Sequence, residues 1–316
     1  MDSFLFSLQA TMPVFLVMVV GWCLMRVHFF NESFTSVANQ YVFKVALPIN
    51  LFYDIATTDL HQDFQLNFVL YCMIGTTIMF LGIWALSNLF LKDKSLVGAF
   101  AQASVRSSAA ILGIAFVTNI YGDAGLTPLM IVAAVPLFNI YSVIILTFSS
   151  PEGRSTHGWR KIRTACLRVF QNPIILGILA GLPFSLLDIH IPVIAAKTIT
   201  SIGSTATPIA LLVVGAGFEG RKALAKLKPT IWATAIKLWI LPAIGLPIAV
   251  SMGFTGAELV AILIMLGSPT TVSCYVMARN MNNDAVLSSS IVVSATLLSS
   301  VSLTFWIFLL RVLALI

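Results

Sequence analysis

The sequence predicts an all-α integral membrane protein: ten transmembrane helices in two inverted five-helix repeats, with helices four and nine broken and crossing. Three observations predict it: too little charge for a water-covered surface, ten apolar runs of spanning length, and a second half that resembles the first. Of 316 residues 59% are hydrophobic and 9% charged, with a mean hydropathy of +0.98. A soluble domain carries about 25% charged residues, so a soluble enzyme is excluded.

A span takes about 20 apolar residues. Charges and Gly/Pro clusters delimit candidates at 4–27, 34–57, 65–91, 95–120, 125–149, 170–187, 191–218, 228–252, 256–279 and 284–312. The first is read as a retained helix, because Met1-Asp2-Ser3 lacks the basic start of a signal peptide. Pro48 in span two and Pro208 in span seven are expected to unwind their helices, since proline removes a backbone donor. Asp123 and Asp284 each precede a span and read as N-caps. Gly177 and Gly181 have the GxxxG spacing of close helix packing. Residues 1–149 thus form a first half and 170–316 a second. Between them, 150–169 is a basic loop carrying Arg154, Arg160, Lys161, Arg163 and Arg168.

Basic residues near span ends mark the cytoplasmic side. With both termini outside, thirteen of the eighteen Lys and Arg fall inside, while Asp54, Asp59, Asp63, Asp123, Asp188 and Glu258 fall outside. This orientation places the chain across a plasma membrane (bacterial inner membrane). The net charge of +6 then marks a cytoplasmic face against the lipid bilayer, with no nucleic-acid partner. Cys23, Cys72, Cys166 and Cys274 form no CxxC pair, and no H-E-x-x-H occurs. Neither a metal site nor a cofactor is expected.

Shifted by 160, Pro13 meets Pro173, Gly21 meets Gly181, Pro48 meets Pro208 and Leu51 meets Leu211; shifted by 161, Asn119 meets Asn280 and Asp123 meets Asp284. Five is odd, so the second half enters the membrane inverted. Inverted repeats are a signature of secondary transporters, whose substrate sits near the midplane at discontinuous helices. Span four reads Gln102-Ala103-Ser104-Val105-Arg106-Ser107-Ser108, too polar for a lipid-facing helix, and span nine reads Gly267-Ser268-Pro269-Thr270-Thr271-Val272-Ser273. Two breaks there would aim amide N–H groups and positive dipole ends at one shared spot.

Lys44, Arg106 and Lys237 lie deep in their spans, roughly 14–16 Å from the cytoplasmic end at 1.5 Å per residue. No Asp or Glu falls at comparable depth, so the interior suits an anion. Two readings stand for each base: it meets the substrate, or it caps broken-helix carbonyls in place of a structural sodium ion. Arg106, beside the break, is the substrate candidate; Lys237 is the structural or ion-substituting base. Ser107, Ser108, Pro269, Thr270 and Thr271 are substrate candidates at the crossover, joined by Lys44, by Asn50 beside Pro48, and by Asn139 in span five.

Ala46-Leu47-Pro48, Arg106-Ser107-Ser108 followed by Leu112-Gly113-Ile114, Gln171-Asn172-Pro173, Lys237-Leu238 with Pro242, and Ser268-Pro269 occur in an order that resembles the auxin efflux carrier family, in particular bacterial malate or malonate permease-like members. The family often has asparagine where Ser108 stands and proline where Ala115 stands. The resemblance implies a fold like that of bile-acid symporters and sodium/proton antiporters. Spans one, two, six and seven would form a scaffold, dimeric with a second copy. Spans three to five and eight to ten would form a transport domain. It also implies carboxylate substrates.

The reading is therefore a secondary transporter of small organic carboxylate anions working by elevator-type alternating access, not an enzyme. The alternatives are a sodium- or proton-coupled carrier of another solute on the same fold, and a membrane-embedded enzyme. Buried acids would mark a cation antiporter, and metal ligands or paired acids an enzyme; neither appears within the spans. The repeat argues against a receptor with extra spans.

Overall fold

A computed structural model of the chain describes residues 2–57, 65–151, 166–167, 169–187 and 189–316. Asp59, Asp63, Asp188 and the loop bases Arg154, Arg160, Lys161, Arg163 and Arg168 lie outside the described residues. The described residues are helical between turns, with one isolated bridge of β type. The helices are α1 (Asp2–Arg26), α2 (Glu32–Tyr41), α3 (Leu47–Ala56), α4 (Leu66–Phe90), α5 (Val97–Val105), α6 (Ala109–Tyr121), α7 (Thr127–Ser149) and α8 (Pro173–Leu186). After them come α9 (Val193–Gly203), α10 (Ala206–Ala216), α11 (Gly220–Ala225), α12 (Leu227–Ala235), α13 (Leu241–Ser251), α14 (Gly256–Gly267), α15 (Ser273–Asn280) and α16 (Ala285–Val312). Among the described residues, six stretches are long and apolar enough to cross a membrane: Leu8–Arg26, Leu66–Phe90, Thr127–Ser149, Val193–Ala216, Leu227–Ser251 and Ala285–Val312. The chain is an all-helical membrane protein.

Prolines shape the helices in two ways. Pro48 does not unwind its helix: α2 runs into α3 through one wide π-helical turn, Val42–Ala46. A proline at 48 cannot bond the Lys44 carbonyl and crowds it, and the wide turn ahead relieves that clash. A second wide turn, Ile236–Ile240, precedes Pro242. There the carbonyl that Pro242 leaves free, Leu238, accepts from the indole N–H of Trp306 in α16 at 2.9 Å. Ahead of Pro208, by contrast, the helix is interrupted at Ser204–Thr205.

Asp284 caps α16, accepting from the Leu287 N–H at 2.8 Å, and also pairs with Lys226. Asp123 does not cap a helix. It accepts from the Gly125 N–H at 2.8 Å in a turn, and α7 starts only at Thr127, with Pro128 in its first turn. Proline is preorganised for that position, so it sets the helix start four residues after the aspartate.

Four glycines bring helix backbones into contact. A Cβ on Gly21 of α1 would strike the Leu212 carbonyl of α10, and one on Gly215 would strike the Met18 carbonyl. On α8, Cβ atoms at Gly177 and Gly181 would strike the Pro48 and Phe52 carbonyls of α3. Shifting the Gly181–Phe52 contact by 160 gives the pair Gly21–Leu212, with the glycine and its partner trading halves.

Two apolar cores result. The buried residues of one, among them Phe68, Phe80, Leu112, Phe116, Met130, Leu263 and Trp306, come from α4–α7, α13, α14 and α16 and from the turn between α13 and α14. The other joins α1–α3, α8 and α10 to the α5, α7, α15 and α16 faces turned toward them, through residues such as Met18, Phe43, Ile178, Leu211, Phe100 and Tyr275.

Candidate functional site

The two breaks lie against each other. Helix α5 ends at Val105, and Arg106 turns extended at φ −64°, ψ 127°. Helix α14 ends at Gly267, and Ser268 turns extended at φ −70°, ψ 158°. Ser107 and Thr270 then pair as an antiparallel bridge, and the Ser108 N–H donates to the Pro269 carbonyl at 3.0 Å. Beyond the crossing, α6 and α15 begin.

Each break repairs the other. In an unbroken helix the Met265 carbonyl would accept from residue 269, but Pro269 has no N–H. The Ser107 hydroxyl, from the opposite strand of the crossing, donates to that carbonyl instead. The Ala103 carbonyl, whose partner would be the Ser107 N–H, accepts from the Thr270 hydroxyl at 2.7 Å. The Leu266 carbonyl, whose partner would be the Thr270 N–H, accepts from the Lys237 ammonium, which also donates to Ser107 Oγ at 2.5 Å. Orphaned helix-end carbonyls need such partners when buried, and here a lysine and two hydroxyls supply them.

Arg106 is buried and turned away from the crossing. Its guanidinium donates to Asn139 Oδ1 at 2.5 Å and to Met277 Sδ; Asn139 in turn donates to the Val135 carbonyl at 2.9 Å. Arg106 and Lys237 are the buried cations of the described residues, and no Asp or Glu is buried among those residues.

Lys44, read from its depth as a companion of these two, is exposed, its ammonium 3.5 Å from Gln40 Oε1. Depth along a helix says nothing about facing, and on this helix Phe43 and Ala46 take the buried side. Asn50 donates to Asp54 at 2.8 Å and sits against Gly203. Neither lines the crossing.

Ser108, Pro269, Thr270 and Thr271 do line a cavity, together with Thr11, Thr207 and Thr296 from α1, α10 and α16. Its volume is about 30 Å³, room for a water or two. These three threonines were missed from the sequence, where single hydroxyls in apolar helices give no signal. Gln102, which donates to the Cys274 carbonyl at 2.9 Å, was legible only as part of a polar run. Among the described residues, Gln102 Oε1 and Ser268 Oγ are buried without a protein partner, positions at which an ordered water or ion is ordinarily found.

Two comparisons identify what the chain is similar to. Residues 6–307 match the family described as membrane transport protein. An uncharacterized transporter of Methanothermobacter thermautotrophicus is 24% identical over 310 residues, which cover 96% of this chain and 98% of that protein. A match over nearly the whole chain leads to one conclusion: the chain belongs to the membrane transport protein family, the family of the auxin efflux carriers.

Proposed function

We propose that the protein carries small organic carboxylate anions across the plasma membrane by elevator-type alternating access, as a homodimer with both termini outside. The observation that carries this reading is the charge at the crossover: two buried cations and, among the described residues, no buried carboxylate. A bound carboxylate balances that charge. Ser108, Thr270, Thr271 and the backbone around Pro269 make the direct contacts, and Arg106, held by Asn139, attracts the anion from behind. Arg106 lies two residues from Ser108, about 7 Å of chain, and its guanidinium points away from the crossing, which puts its charge on the order of 12 Å from an anion bound there. At that range and an effective dielectric of about 20, the charge is worth about 1.4 kcal/mol to the anion, roughly 10-fold in affinity. Ser107 and Lys237 hold the crossing together. Lys44 and Asn50 belong to the scaffold side of the path.

Three features support the ten-span inverted repeat and its division into scaffold and transport domains. The glycine contacts Gly21–Leu212 and Gly181–Phe52 exchange halves under one shift. One core draws its buried residues from the six spans assigned to the transport domain and from the turn joining spans eight and nine. The candidate cavity lies on the seam between the two groups, closed to about 30 Å³, so that binding a carboxylate requires them to move apart. Export needs no co-ion, since one negative charge leaving a cell at −100 mV gains about 2.3 kcal/mol.

The unpartnered Gln102 Oε1 and Ser268 Oγ favour a second reading, in which a cation binds at the crossover and drives uptake of another solute. Thermal unfolding of purified wild type and Arg106→Ala against a panel of mono- and dicarboxylates separates them. A native-state ligand must raise stability. The carboxylate reading expects an anion that stabilises wild type and shifts the variant only at roughly 10-fold higher concentration. Stabilisation by sodium or an organic cation alone, equal in both proteins, refutes it.

A further inference from the structure

Away from the crossover, a groove of about 540 Å³ opens between α1, α16 and the chain that leaves α10. It continues into a second space of about 300 Å³ that shares Trp22, Arg26, Phe218, Gly220 and Arg221 with it. The deep part is apolar, lined by Phe15, Met18, Val293 and Leu297 among others. Charge is confined to the mouth. There Arg26 lies over the ring of Trp22, 5.1 Å from its centre, and Arg221 stands opposite in the first turn of α11. The acid at this mouth, Glu219, pairs with Lys222 at 2.7 Å. Among the described residues, no carboxylate pairs with either arginine.

An oily slot with two arginines and a half-exposed tryptophan at one end has the polarity of a phospholipid. Tryptophan prefers the level of the headgroups, and a free phosphate or soluble anion would leave the apolar length of the slot unused. Both arginines lie on the side of the basic loops, the leaflet where anionic lipids attract Lys and Arg. We propose that this groove binds one anionic glycerophospholipid, its phosphate between Arg26 and Arg221 and an acyl chain along Phe15, Met18 and Leu297. The site touches α1 and α16, helices from the two groups that meet at the crossover seam, so a lipid bound there bridges them. It stands apart from the carboxylate reading, and its test needs no substrate.

The experiment is native mass spectrometry of the full-length purified protein titrated with dioleoylphosphatidylglycerol, dioleoylphosphatidylcholine or glycerol 3-phosphate. It compares wild type, the double variant Arg26→Gln/Arg221→Gln, and Leu297→Trp, which fills the groove and leaves the charges in place. Wild type is expected to retain one phosphatidylglycerol, and to retain phosphatidylcholine much less. At roughly fivefold for each arginine, the double variant binds phosphatidylglycerol about 25-fold more weakly, and Leu297→Trp also loses the adduct. Equal retention of both lipids, or equal phosphatidylglycerol retention by wild type and Leu297→Trp, overturns the proposal. So does glycerol 3-phosphate matching the lipid, which would make the site a simple anion site. If the double variant does not fold, Leu297→Trp alone decides.

Discussion

Gly21→Ala is a sharp test of how the helices are held, because one added methyl group has nowhere to go. The new Cβ would meet the carbonyl, carbonyl carbon and Cα of Leu212, all backbone, so no side chain can rotate away. Helices α1 and α10 must separate along their crossing. Overpacking of this kind costs typically about 1–3 kcal/mol, and a rigid backbone neighbour puts it at the upper end. Alanine returns about 1 kcal/mol of helix propensity, leaving a net loss of about 2 kcal/mol. Gly82→Ala in α4 is the matched control, since nothing lies within 4 Å of its added methyl; only the gain of about 1 kcal/mol remains. At roughly 2 °C per kcal/mol for a chain this large, scanning fluorimetry in one detergent should place Gly21→Ala about 4 °C below wild type. Gly82→Ala should lie about 2 °C above it by the same conversion. If Gly21→Ala melts at or above Gly82→Ala, the backbone contact between α1 and α10 does not exist and the packing argument fails.

Two further outcomes follow from the crossover. Lys237→Met keeps an unbranched side chain, one atom shorter, but leaves the Leu266 carbonyl without a donor, which should cost about 1–3 kcal/mol in thermal unfolding; an unchanged melting temperature would mean that the ammonium caps nothing. Thr270→Val removes one hydroxyl bond to the Ala103 carbonyl and should cost about 1 kcal/mol. Ser107→Ala should cost more, because its hydroxyl both donates to Met265 and accepts from Lys237. The reverse order would show that the two breaks do not repair each other as described.

Composition and periodicity carried the local part of the fold. Apolar runs marked where helices lie, and the boundaries of α16 and α7 came within a few residues, because hydrophobic length is a local property. The break in α14–α15 was legible at Pro269, since a missing N–H is written in the residue. Facing was not legible. Lys44 and Lys237 are equally deep along their helices, yet one is exposed and the other fully buried, because rotation about the helix axis is fixed by neighbours. Arg106 was legible as a buried base beside a break. Its turn toward Asn139 and Met277 came only from the fold, which brings residues 33 and 171 positions away to it. The tertiary structure likewise decided which hydroxyl caps which carbonyl and which threonines line the cavity. A helix end needs a donor, and the nearest one is set by whichever distant helix the packing brings alongside.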